Sequence, residues 1–102
     1  MQAAPDYDHA EFVAPERMIA ATRGEFRAAV LAHLEQLRPD VCAITIDLRK
    51  TVELDASGLG ILVFVQKRAK ERGLATRLRH TPERVRNLLK VTMLDFLFEL
   101  IN

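Results

Sequence analysis

Cysteine is close to missing from this chain. Cys42 is the only one, which excludes a disulfide framework and paired thiolate metal ligands and fits a reducing compartment. Strong charge of one sign is also missing. Fifteen Lys/Arg stand against 14 Asp/Glu, a net charge of +1, too near balance to name a polyanion or a charged membrane surface as the main partner. No apolar run reaches the roughly 18 residues that a membrane-spanning helix needs, and MQAAPDYDHAEF carries acidic residues where a secretory leader would carry an apolar core. A soluble cytoplasmic protein without membrane insertion is expected. There is no Gly-rich nucleotide loop, and His9, His33 and His80 stand at no recognisable spacing from an acid and a nucleophile. The chain is therefore expected not to be an enzyme and to need no cofactor or metal. It holds no internal repeat and no low-complexity segment.

What is present is enough for one core: 102 residues, 49% of them hydrophobic. Residues 1–9 lack period and read as a loose terminus, and residues 10–102 read as a single domain. Glu11–Ala14 suggests a short strand before Pro15. Thr22-Arg23-Gly24-Glu25 has the form of a capping box, and Phe26, Val30, His33, Leu34 and Leu37 extend one helical stripe to about Leu37. Val41–Leu48 (VCAITIDL) predicts a central strand covered by helices on both faces. Thr51–Leu54 is a further extended piece, followed by a helix from Ser57 to about Arg72 that Gly73 closes. Leu74–Arg79 alternates as a strand. Thr81-Pro82-Glu83 then supplies a cap, a proline at the first helical position and an acid in the first turn, with Val85, Leu88 and Leu89 as the buried face to about Lys90. Met93–Ile101 suggests a turn and a last strand. This alternation predicts an α/β domain of about four strands in a mixed or parallel sheet, joined by right-handed crossovers.

The helix opened by Asp55-Ala56-Ser57-Gly58 carries the chemistry. At about 100° per residue, Leu62, Val65, Gln66 and Ala69 fall on a core side flanked by Leu59. Ser57, Gly60, Phe64, Lys67, Arg68 and Glu71 fall outside. A serine at a helix start commonly caps free amides. Alternatively it accepts a phosphate of about −1.5 to −2 charge, which the amides and dipole of a helix N-terminus tolerate. Phe64, two turns on and among charged neighbours, is either an interface anchor, an ordinary exposed apolar residue, or a ring covered by another segment. Arg77, Arg79, His80, Arg84, Arg86 and Lys90 form a basic cluster. A solvated face is the commoner meaning of such a cluster, so no direct nucleic-acid partner is expected.

Residues Ile44–Leu62, ITIDLRKTVELDASGLGIL, resemble the signature of the STAS domain, the fold of bacterial anti-sigma factor antagonists. Asp47-Leu48 and Leu54-Asp55-Ala56-Ser57-Gly58-Leu59-Gly60 match it in order and spacing. Phe12–Leu37 resembles the family's second strand and first helix, and Leu78–Phe98 its strand, Pro-x-x-Val helix and terminal Leu-Asp-x-Leu-Phe segment. The resemblance implies that residues 10–102 form one STAS domain and that Ser57 is the phosphorylated residue, within a loop shaped by Asp55, Ala56 and Gly58. It implies as partners an anti-sigma factor with serine kinase activity and a PP2C-type phosphatase. The unmodified protein would bind the kinase through Ser57, Leu59, Gly60, Phe64, Lys67, Arg68 and Glu71, and the phosphorylated one would release it. The turn after the early strand, Pro15-Glu16-Arg17-Met18-Ile19, lacks the family's Asp. Shorter members of this kind resemble the subgroup containing the small subunit of a lipid-asymmetry ABC transporter, which binds an ATPase subunit.

Overall fold

The computed structural model describes residues 9–101; the loose terminus expected at residues 1–9 falls almost wholly outside them. Four strands, β1 (His9–Val13), β3 (Ala43–Asp47), β5 (Ala75–Arg79) and β6 (Glu99–Ile101), form one sheet in that spatial order, every neighbouring pair parallel. The sheet is thus wholly parallel. Helices α1 (Arg23–Glu35), α2 (Ala56–Glu71) and α3 (Glu83–Val91) provide the three crossovers.

Because the strand order never reverses, right-handed crossovers place successive helices on the same side of the sheet. All three lend residues to one core: Phe26, Val30 and Leu34 from α1, Leu62, Val65 and Ala69 from α2, Val85 and Leu89 from α3. They close over Ile44, Ile46 and Leu78. The expectation of helices on both faces of β3 is corrected here. The opposite face carries a cross-strand row, Glu11, Thr45, Arg77 and Glu99, in which Arg77 Nε donates to Glu99 Oε1 at 2.6 Å. Arg79 and Glu11 approach to 3.7 Å on the same side. Long side chains lying flat with their charged ends in water cover Thr45, which is fully buried. This also occupies part of the basic cluster, since Arg84 too is engaged, donating to the Val52 carbonyl.

Two local starts differ from the sequence reading. Thr22 has a helical backbone and makes no side-chain cap. Its hydroxyl donates to the Arg17 carbonyl at 2.6 Å and accepts from the Ile19 amide at 3.2 Å, closing the preceding turn. Pro82, not Thr81, is the N-cap of α3, again without a side-chain cap bond. The other bounds shift modestly: α1 stops at Glu35, and β3 pairs only over Ala43–Asp47. His33 is half-buried with its ring 5.6 Å from that of Phe12, the boundary position its stripe implied.

Candidate functional site: the first turn of helix α2

Asp47 ends the central strand and starts the construction of the site. Its carboxylate is 2% exposed, accepts from the Arg49 amide at 2.9 Å and lies 3.2 Å from His80 Nδ1. Burial pushes this carboxyl up. The Arg49 amide, the His80 contact and the Arg49 and His80 charges outweigh it and hold the group below the ordinary aspartate value. The chain is thereby turned at Leu48–Lys50 and returns as β4 (Glu53–Leu54), which pairs in parallel with β2 (Arg17–Met18) in a separate two-stranded sheet. Thr51 fixes the approach by donating to the Pro15 carbonyl at 2.8 Å. The Val52 and Glu53 amides both reach the Glu16 carbonyl. The extended piece expected at Thr51–Leu54 is therefore a bracket beside the main sheet.

That bracket seats α2. Asp55 is the N-cap, in extended backbone, and its Oδ1 accepts from the Gly58 amide at 3.0 Å. Its Oδ2 accepts from the Ala20 amide at 3.2 Å, tying the turn before α1 to the start of α2. The Gly58 amide first, then those of Ala20 and Ser57, depress the Asp55 carboxyl below its ordinary value. Gly58 is buried against β2. A Cβ placed there would lie 2.0 Å from the Met18 carbonyl oxygen, so only glycine lets the helix descend to this depth. The capping that a lone serine might have explained is done by Asp55, and the helix begins at Ala56, one residue before the expected start. Ser57 is consequently in the first turn, half-buried, with its side chain free of the capping duty.

Beyond the first turn the structure sorts the expected docking residues. Gly60, Lys67, Arg68 and Glu71 are exposed, and a Cβ on Gly60 would meet nothing within 4 Å. Leu59, which the resemblance implies as a docking residue, is corrected in that role: it is 8% exposed and belongs to the core that its helical position flanks. Gln66 is only half-buried, so it is not a core residue. Phe64 is half-buried and packs against the core. Arg27 of α1 covers its ring, with the guanidinium carbon 4.4 Å from the centroid, while Arg68 stands 5.9 Å away. Arg27 was invisible to the sequence reading of α2, since the contact joins residues 37 positions apart. Asp55, Ala56, Ser57 and Gly58 are brought together as the loop and first turn that the motif predicts.

Known proteins agree with this architecture. The family model described as Mlab, STAS domain, matches residues 16–100. No curated protein matches the chain. Among solved structures, a protein described as a candidate anti-sigma factor antagonist from Thermotoga maritima superposes with a TM-score of 0.75 at 20% identity, over 90% of this chain and 79% of that one. A sulfate transporter family protein from Wolinella succinogenes superposes with a TM-score of 0.70 at 16% identity, over 98% of this chain and 83% of that one. At such identities the likeness is one of fold, and the family rests on the model that spans both the bracket and the three helices: the chain belongs to the STAS domain family.

Proposed function

We propose that this STAS domain is a phospho-switched protein-binding module of the anti-sigma factor antagonist type, a substrate and ligand for its partners with no catalysis of its own. The observation that carries the reading is the division of labour in Asp55–Gly58. Asp55 caps the helix and Gly58 packs it against Met18, leaving Ser57 held rigidly in the first turn with its hydroxyl uncommitted to the cap. In the proposed step the Ser57 hydroxyl attacks the γ-phosphorus of ATP held by a partner serine kinase. A Ser–O–P bond forms, the bond to ADP breaks, and the hydroxyl proton passes to a base of the kinase. The product phosphate stands at a helix N-terminus, which tolerates the charge, but adds a dianion beside the Asp55 carboxylate on the docking face. A partner that presents an acidic group to this face then loses affinity by repulsion. A PP2C-type phosphatase resets the switch by hydrolysis. Freed antagonist binds the anti-sigma kinase again and so regulates transcription indirectly, in the cytoplasm.

Incubation with the cognate kinase and ATP, followed by mass spectrometry of the peptide holding Ser57, tests this directly. A phosphoryl group on Ser57, absent from Ser57→Ala, is the expected result. The match to the family model described as Mlab favours one second reading, an accessory subunit that grips an ABC-transporter ATPase through the same face. An unlabelled Ser57 together with stable co-purification with an ATPase would select it.

A further inference from the structure

Arg27 sits where it can serve two masters. The Ala20 amide, just ahead of α1, is bonded to Asp55, just ahead of α2, and both helices return from parallel strands of one sheet, so they start side by side and run the same way. At 1.5 Å per residue, Ser57 is about 1.5 Å and Phe64 about 12 Å beyond the start of α2, and Arg27 is about 6 Å beyond the start of α1. Arg27 therefore stands at a level between the serine and the phenylalanine. In the unmodified protein its guanidinium lies over the Phe64 ring at 4.4 Å. The surface between Ser57 and Phe64 is floored by Gly60, where even a Cβ would touch nothing, while Ile61, the other residue on that turn, is buried in the core.

We infer that Arg27 is the internal reader of the Ser57 phosphate: phosphorylation draws its guanidinium off Phe64 and onto the phosphoryl oxygens, uncovering the ring. The energetics favour the exchange. A cation over a ring makes one electrostatic contact with the ring face, whereas an arginine meets a phosphate through two charge-assisted hydrogen bonds, each stronger than a neutral one. Charged residues near this surface in the sequence of the two helices are Arg23 of α1 and Asp55, Lys67, Arg68 and Glu71 of α2, with Arg68 5.9 Å from the Phe64 ring. Of these, Asp55 is committed to backbone amides and Arg68 has Glu71 at 3.9 Å. The switch would thus alter two points of the docking face at once, adding charge at Ser57 and removing the cation that covers Phe64. This deepens the phospho-switch reading and rests on Ser57 being the modified residue.

Phosphoserine installed at position 57 during translation tests it without any kinase, so failure here is distinct from failure of a kinase to label Ser57. The phosphorus NMR signal is titrated in the wild type and in Arg27→Gln, Arg27→Lys and Arg23→Gln. The wild-type phosphate should lose its second proton about half a pH unit lower than in Arg27→Gln, roughly threefold in proton affinity, with Arg27→Lys between them and Arg23→Gln like the wild type. The Phe64 ring proton signals should move on phosphorylation in the wild type and stay in Arg27→Gln. Identical titrations in wild type and Arg27→Gln, an unmoved Phe64 ring, or a shift lost in Arg23→Gln instead would overturn the inference.

Discussion

Gly58 and Gly60 stand two residues apart in α2 and respond oppositely to the same substitution. Gly58→Ala forces a methyl group into the Met18 carbonyl and should destabilise by about 1–3 kcal/mol, the usual cost of overpacking, with the α2 start displaced. Gly60→Ala projects into open space on an exposed helical face and should stabilise by about 0.5–1 kcal/mol through helix propensity. Urea denaturation of both variants checks the pair; similar effects at the two positions would contradict the seating of α2 on β2. Asp47 is one of the carboxyls held below their ordinary value. Its folded carboxyl titrates below the unfolded value of about 3.9, so the stability it contributes is complete above that pH and is lost as pH falls through the lower folded value. Asp47→Asn should lessen the decline in stability between about pH 5 and pH 2.5, as read from urea midpoints. An unchanged slope would show that other carboxyls govern acid unfolding.

At the scale of the element, α2 was readable in outline and misjudged at its flanks. The apolar period finds Leu62, Val65 and Ala69, all fully buried, because the inward centre of a helix is fixed by its own sequence. Leu59, Gln66 and Phe64 lie off that centre, where burial depends on neighbours. Phe64 falls on the outward side by its period, and of the alternatives open to it the structure shows a ring covered by another segment, packed on the core beneath Arg27. Phe64→Ala should therefore lower stability by about 1.5–2.5 kcal/mol, roughly half the cost of deleting a fully buried ring, and also weaken partner binding. Full retention of the melting temperature would restore the purely exposed reading. The threonines teach the same lesson. Thr22 and Thr81 have the spacing of caps, but neither hydroxyl caps its helix: Thr22 instead bonds the backbone of Arg17 and Ile19 in the preceding turn.

For the whole molecule, the alternation of strands and helices was legible because each element carries its own period, and Asp-x-Ser-Gly was legible because its residue types are dictated locally. What the sequence did not disclose were long-range relations: the monotonic strand order, the gathering of α1, α2 and α3 over one sheet face, and the bracket of β2 and β4 that seats the start of α2. Each depends on pairings between segments some 30 residues apart. The polar face of the sheet was missed for the same reason, since Arg77 and Glu99 look like solvated charges until their strands are set side by side. Ser57 thus lies at the start of a helix seated on the bracket, and the docking face proposed for it spans α1 and α2. The most direct measurement is the affinity of the cognate anti-sigma kinase for the unmodified protein, for Ser57→Asp and for the phosphoserine-57 form. The unmodified protein should bind at least about tenfold, or about 1.4 kcal/mol, more tightly than the phosphorylated one, with Ser57→Asp shifted the same way. Equal affinities for all three would contradict the account.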